Sequence, residues 1–152
     1  MDGQKRIALV AHDAMKPTLS AWAFANERAL QPHQLTATGN TGRAVMDATR
    51  LEVQCLRSGA LGGDLEIGAL IADGEVDILI LFTDPLTRQP HDVDPAPLLR
   101  IANVAQIALA MTETTADFIV RSELMTRPYR RSHGAPALPP VQQRIDRKSE
   151  VA

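Results

Sequence analysis

Four short stretches of this chain hold the residue types that acid–base and phosphate chemistry require, and each follows a run of apolar residues. His12, Asp13 and Lys16 follow the first run, and Thr38-Gly39-Asn40-Thr41-Gly42 the second. Ser58-Gly59 and Gly62-Gly63-Asp64 follow the third, and Asp84 with His91-Asp92-Val93-Asp94 the fourth. In the second stretch, two glycines allow close backbone approach to a ligand and two threonines add hydroxyl donors. Backbone amides at a helix N-terminus, where the helix dipole is positive, suit a phosphate. The same residues also read as a tight turn in which Thr41 caps a helix. Their spacing is that of neither a Walker loop nor a dinucleotide fingerprint. Ser58-Gly59 reads as a second piece of such a cradle. Lys16 reads as its point charge or as solvated surface.

Asp64 also has two readings. It stands ahead of the helical pattern at 65–71, where it would make a good N-cap. Alternatively it is a general base. A carboxylate is a weak base at neutral pH, so that role calls for burial or for carboxylate neighbours such as Asp84 and Asp94. His91 would polarise a carbonyl or move a proton, imidazole being the side chain that titrates near neutrality, or it is a loop histidine capped by the aspartates beside it. His12 is open in the same way, while His33 and His133 read as surface residues. With no two-His helical spacing and no cysteine cluster, no metal site is expected.

The elements that must position these residues are legible as alternating patterns. Apolar runs at 6–11, 34–38, 53–56, 78–82 and 107–110 are separated by helical apolar spacing at 17–30, 42–51, 64–72, 95–104 and 114–123. Five successive β–α units imply parallel strands buried between two layers of helices, because the crossover is right-handed. The expected fold is therefore α/β, a three-layer doubly wound sandwich with a mainly parallel five-stranded sheet of flavodoxin-like topology. Such sheets bind ligands beyond the carboxyl ends of their strands, which brings the four polar stretches together.

Composition narrows the partners. A net charge of −2 and 3% aromatic residues lack the basic footprint and stacking platforms of a nucleic-acid binder. No apolar run exceeds five residues, against the ~20 that span a bilayer. The apolar stretch near the start is broken by His12-Asp13 and is too short for a signal peptide. A single cysteine, Cys55, forms no internal bridge and suits a reducing cytoplasm. The charge divides unevenly, with 10 Lys and Arg against 16 Asp and Glu in residues 1–125, and 6 against 2 in residues 126–152. We therefore expect a domain over 1–125 and a basic, proline-containing tail over 126–152 that is mobile or lies at a subunit contact.

Over residues 6–121 the sequence resembles the methylglyoxal synthase family. The resemblance rests on Ile7-Ala8-Leu9-Val10-Ala11-His12-Asp13 with Lys16, Ala37-Thr38-Gly39-Asn40-Thr41-Gly42, Ser58-Gly59-Ala60-Leu61-Gly62-Gly63-Asp64 and Asp84-Pro85-Leu86. It continues through Pro90-His91-Asp92 with Asp94, Leu98-Leu99-Arg100 and Thr115-Ala116-Asp117-Phe118. It implies a lyase that converts dihydroxyacetone phosphate into methylglyoxal and inorganic phosphate, uses no metal or other cofactor, and forms homohexamers inhibited by phosphate. Carried over by position, it implies that Asp64 is the catalytic base and that His91 stabilises the enediolate oxygen. His12, Lys16, Thr38, Gly39, Asn40, Thr41, Ser58, Gly59 and His91 would bind substrate, and Asp13, Asp84, Asp94 and Arg100 would support them. The chain departs from the family at Asn40, usually threonine, at Ala60, usually proline, and at Thr112, often asparagine. Arg130 or Arg131 would make any subunit contact from the tail. The competing reading is a non-catalytic regulatory domain of the same fold that senses a phosphate ligand, as in carbamoyl phosphate synthetase; a flavodoxin or receiver domain lacks support.

Overall fold

A computed structural model describes residues 1–86, 92 and 94–131 of the chain. His91, His133 and the tail from 132 onward lie outside the described residues. The strands β1 (Arg6–Ala11), β2 (Gln34–Ala37), β3 (Val53–Cys55), β4 (Ile78–Phe82) and β5 (Ala108–Ala110) form one parallel sheet in the order β3-β2-β1-β4-β5. The expected three-layer, doubly wound class is present. Flavodoxin-like sheets wind out from a central strand in the order 2-1-3-4-5. Here β2 and β3 both lie on one side of β1, so the winding reverses between β1 and β4.

The two central strands carry apolar side chains on both faces because both faces are covered. Ile7, Leu9, Ala11, Ile78, Ile80 and Phe82 point to one side, where they pack with Leu19, Trp22, Val45, Ala116 and Val120. Those partners come from α1 (Lys16–Ala25), α3 (Gly39–Ala48) and α6 (Glu113–Val120). Ala8, Val10, Leu79 and Leu81 point to the other side, against Ile67 and Ile71 of α4 (Gly63–Ala72) and Leu98 and Ala102 of α5 (Pro95–Ala105). Strand alternation thus feeds two cores at once. Register pairs Ala11 with Phe82 and Ala37 with Cys55, so the residues that follow these strands leave the sheet at the same edge.

Two expectations need correction. The helix expected over 17–30 is broken at Asn26 into α1 and α2 (Glu27–Leu30). The Asn26 amide donates to the Trp22 carbonyl at 3.0 Å and to Asp117 Oδ1 at 3.3 Å, so a side chain competes for helix hydrogen bonding at that turn. His33 is buried rather than on the surface, and its Nδ1 accepts the Lys5 backbone N–H at 3.1 Å. Burial, with the Lys5 charge nearby, lowers its pKa from the ordinary histidine value. The described residues just past the expected boundary, up to 131, bond to the rest of the chain. Buried Lys5 donates to the Arg127 carbonyl, the Tyr129 N–H donates to Met1 O, and Arg131 donates to the Ala105 and Val76 carbonyls and to Asp77 Oδ1. Arg131 is thus engaged within its own chain.

Candidate active site

The α3 N-terminus forms the centre of the site. Its cap is Thr38, not Thr41, and helical geometry begins at Gly39. The Thr38 hydroxyl donates to Thr41 Oγ1 at 3.0 Å inside the protein instead of capping the first turn. The amides of a first turn have no carbonyl of their own helix to bond. Gly39 N–H is taken by the Arg57 carbonyl and Gly42 N–H by the Thr38 carbonyl, which leaves the amides of Asn40 and Thr41 as donors at the helix's positive end. Asn40 Oδ1 accepts from Arg43 at 2.6 Å. Because guanidinium only donates, the amide oxygen must face Arg43 and the amide nitrogen lies on the other branch.

The chain from β3 to α4 runs close against this turn. A Cβ at Gly39 would stand 2.7 Å from the Leu56 carbonyl oxygen, and one at Gly63 only 1.9 Å from that of Arg57. Side chains at either position would push the backbone at 56–58 away, so both glycines serve close approach. The Ser58 carbonyl accepts from Leu61 and Gly63, closing a 3-10 turn over Gly59–Leu61 beside the phosphate-type loop. Glu66 holds the same segment by accepting the Arg57 N–H at 3.1 Å.

Asp64 is not the helix cap. Gly62 occupies that position with φ 91°, and Asp64 lies within the first turn of α4. Among the described residues its half-buried carboxylate has no hydrogen-bond or ion-pair partner. A capping carboxylate would be committed to a backbone amide; this one is available.

On the other wall, His12 is 2% exposed and follows β1 directly. Its Nδ1 accepts the Asp84 N–H at 3.2 Å, so in this geometry the ring proton sits on Nε2. Asp92 Oδ2 lies 3.8 Å from the same Nδ1, and Asp92 Oδ1 accepts the Asp13 N–H at 3.2 Å. Asp13 in turn pairs with Lys16 at the first position of α1.

A narrow cleft of about 40 Å³ joins these walls, lined by Asp13, Lys16, Thr38, Asn40, Thr41, Gly59 and Asp92, together with Ala11 and Ala60. Strand ends far apart in sequence therefore meet, with Asp64 in the helical turn that follows the Gly59–Leu61 segment. Asp84, Asp94 and Arg100 do not line this cleft. Asp94 caps α5 by accepting the Ala96 N–H at 3.1 Å, and Arg100 is exposed on that helix. Asp84 Oδ1 closes a turn by accepting the Leu86 N–H. Thr112 caps α6 through the Thr115 N–H. Asp92 is the residue that sequence reasoning did not place in the site; its signal is a carboxylate directly after His91 in the loop that leaves the central strand. A larger groove of about 1100 Å³ lies on the face of β2 and β3 beside α4, but none of the expected site residues lines it. Convergence of donors, rather than size, marks the smaller cleft as the site.

Residues 20–111 match the MGS-like domain family. The chain is 46% identical over 131 residues to a methylglyoxal synthase of Clostridium acetobutylicum, covering 86% of this chain and 90% of that one. It is likewise 46% identical over 149 residues to a methylglyoxal synthase of Yersinia pestis strain Pestoides F, covering 95% and 94%. Among solved structures, the crystal structure of methylglyoxal synthase from Elizabethkingia anophelis NUHP1 superimposes with a TM-score of 0.83 at 40% identity, over 85% of each chain.

Proposed function

This chain belongs to the methylglyoxal synthase family, and we propose that it converts dihydroxyacetone phosphate into methylglyoxal and inorganic phosphate with Asp64 as its base. The observation that carries this reading is a single cleft where the α3 N-terminus, the Gly59 turn and Lys16 meet, with an uncommitted carboxylate in the adjoining first turn of α4. The first group suits the phosphate and the second suits the carbon acid.

The Asn40 and Thr41 amides, the Thr41 hydroxyl, oriented by the Thr38 hydroxyl that donates to it, and Lys16 hold the phosphate. Amide donors are required because the domain as a whole is acidic and its field does not attract an anion. Asp64 takes a proton from the hydroxymethyl carbon. The C–H electron pair becomes the carbon–carbon double bond, and the carbonyl oxygen takes up the negative charge. Histidine donors, His91 by resemblance and His12 through Nε2–H, stabilise that oxygen. The C–O bond to phosphorus-bound oxygen then breaks, and phosphate leaves with the bonding pair as the terminal hydroxyl loses its proton to become an aldehyde. The cradle must hold that C–O bond roughly perpendicular to the enediolate plane, since only then do its orbitals overlap with the departing group. The remaining enol ketonises to methylglyoxal. Product phosphate inhibits by occupying the same cradle, the chain assembles as a homo-oligomer, hexameric by resemblance, and its compartment is a reducing cytoplasm.

Incubating the purified chain with dihydroxyacetone phosphate tests the reaction. Phosphate and methylglyoxal are expected in equal amounts. Tight phosphate binding without any dicarbonyl would contradict the lyase reading and favour a phosphate-sensing domain.

A further inference from the structure

Asp64 enters α4 on a stretch that the core does little to hold. Gly62 and Gly63 precede it, Leu61 and Leu65 are largely exposed, and the first side chain of the helix seated in the core is Ile67. Two successive glycines leave the backbone there unusually free. A general base, by contrast, must keep its oxygen within hydrogen-bond reach of the proton it takes. The fastening comes from residues 57 and 58. Gly63 N–H donates to the Ser58 carbonyl at 3.0 Å, and Glu66 Oε2 accepts the Arg57 N–H at 3.1 Å. Glu66 Oε1 also pairs with Arg57 Nε at 3.2 Å, on a side chain that is 72% exposed. The carbonyl of the same Arg57 accepts the Gly39 N–H at 2.9 Å. One residue's backbone is therefore bonded through its N–H to the helix that carries Asp64 and through its carbonyl to the helix that forms the phosphate cradle.

Resting on the reading of Asp64 as the base and of the α3 N-terminus as the cradle, we infer that Glu66 is a positioning residue for Asp64. Through the Arg57 backbone it sets where the base stands relative to the bound phosphate. The operative contact is the hydrogen bond to the amide, because a carboxylate strengthens an N–H bond, whereas an exposed ion pair contributes little. Without that bond the first turn of α4 shifts while Gly39 keeps its hold on Arg57, so turnover suffers and phosphate binding does not. Gly63 acts differently, since a methyl there displaces the Arg57 carbonyl itself and so reaches the cradle.

Two conservative variants of the full chain separate reach from charge. Glu66→Gln keeps the length and an oxygen for the Arg57 N–H but loses the charge, and the exposed guanidinium can turn away into solvent. Glu66→Asp keeps the charge but falls one methylene short of the amide. Turnover of dihydroxyacetone phosphate and affinity for inorganic phosphate are measured on both, with thermal unfolding to check that they fold. Should the shorter side chain not fold, Glu66→Ala repeats the comparison. Glu66→Asp is expected to lose about tenfold or more in kcat with phosphate affinity close to wild type, and Glu66→Gln to retain far more of kcat. Equal kcat in the two variants, a lower kcat in Glu66→Gln, or phosphate affinity falling in step with kcat would overturn the inference alone. A wild-type chain that makes no methylglyoxal would overturn it together with the reading of the site.

Discussion

At the scale of single residues, type and neighbourhood point to groups able to do chemistry, but not to what each group is already bonded to. Thr38, Asn40, Thr41, Lys16 and Gly59 line the cleft. Asp64 and Asp94 look alike in sequence, each a carboxylate ahead of a helical pattern. One proves uncommitted inside a first turn, while the other is a cap. The difference comes from their neighbours: Gly62, in a left-handed conformation, takes the cap position two residues ahead of Asp64, and Pro95 fixes the start of α5 just after Asp94. Asp92 was illegible as a site residue because its partners, Asp13 and His12, are 79 and 80 positions away in sequence. Gly63 offers a direct check on how the site is assembled. Gly63→Ala puts a methyl where the Arg57 carbonyl lies, so the 57–58 backbone must move. Denaturant unfolding should show a loss of about 1–3 kcal/mol, and phosphate affinity should fall with it. An unchanged stability would mean that the segment is not packed as described.

At the scale of elements, strands were legible where burial on both faces makes them uniformly apolar, as in β1 and β4, whose bounds match the apolar runs at 6–11 and 78–82. The edge strands are shorter than their apolar runs, because β3 and β5 each pair on one side only. The break at Asn26 depends on a contact to Asp117, 91 residues away, which no local pattern carries. Asp94 belongs to this scale as well, since its visible bond is to the first turn of α5. Asp94→Ala should cost about 1 kcal/mol of stability through the lost cap. Asp94→Ser restores a capping oxygen and should recover stability in thermal unfolding. If catalysis recovers in parallel, Asp94 serves only to start α5; activity lost in both variants would assign the carboxylate a direct part in the chemistry.

At the scale of the whole molecule, near-neutral net charge conceals an acidic domain with a basic end, and the described part of that end is anchored beneath the sheet, opposite the cleft. Sequence composition marked the charge change near residue 125 but could not show that Arg131 reaches Asp77. Asp77 is buried, which alone would raise its pKa, yet hydrogen bonds and charge from Arg6 outweigh burial and hold it below the usual carboxylate range. A lowered carboxylate stabilises the fold above the ordinary Asp range and loses that contribution as the pH falls through the folded value. His33, also lowered, favours its neutral form when folded, so its contribution is present above about pH 6.5 and fades as the pH falls below it. Acid titration of stability should therefore show a first loss below about pH 6.5 and a second below about pH 4. Asp77→Asn should remove the second step. It should also cost about 3 kcal/mol at neutral pH, the lower part of the range for a broken buried pair because Arg6 is a third exposed.

The central claim concerns one carboxylate in the helical turn that adjoins the cleft, and Asp64→Asn addresses it most directly because the amide keeps the shape of the side chain while removing its basicity. Wild type and variant should be compared for methylglyoxal production from dihydroxyacetone phosphate, with inorganic phosphate binding measured on both. The account predicts that turnover falls by about a thousandfold or more while phosphate affinity and unfolding temperature stay close to wild type. Turnover within a few-fold of wild type in the Asp64→Asn chain would contradict it.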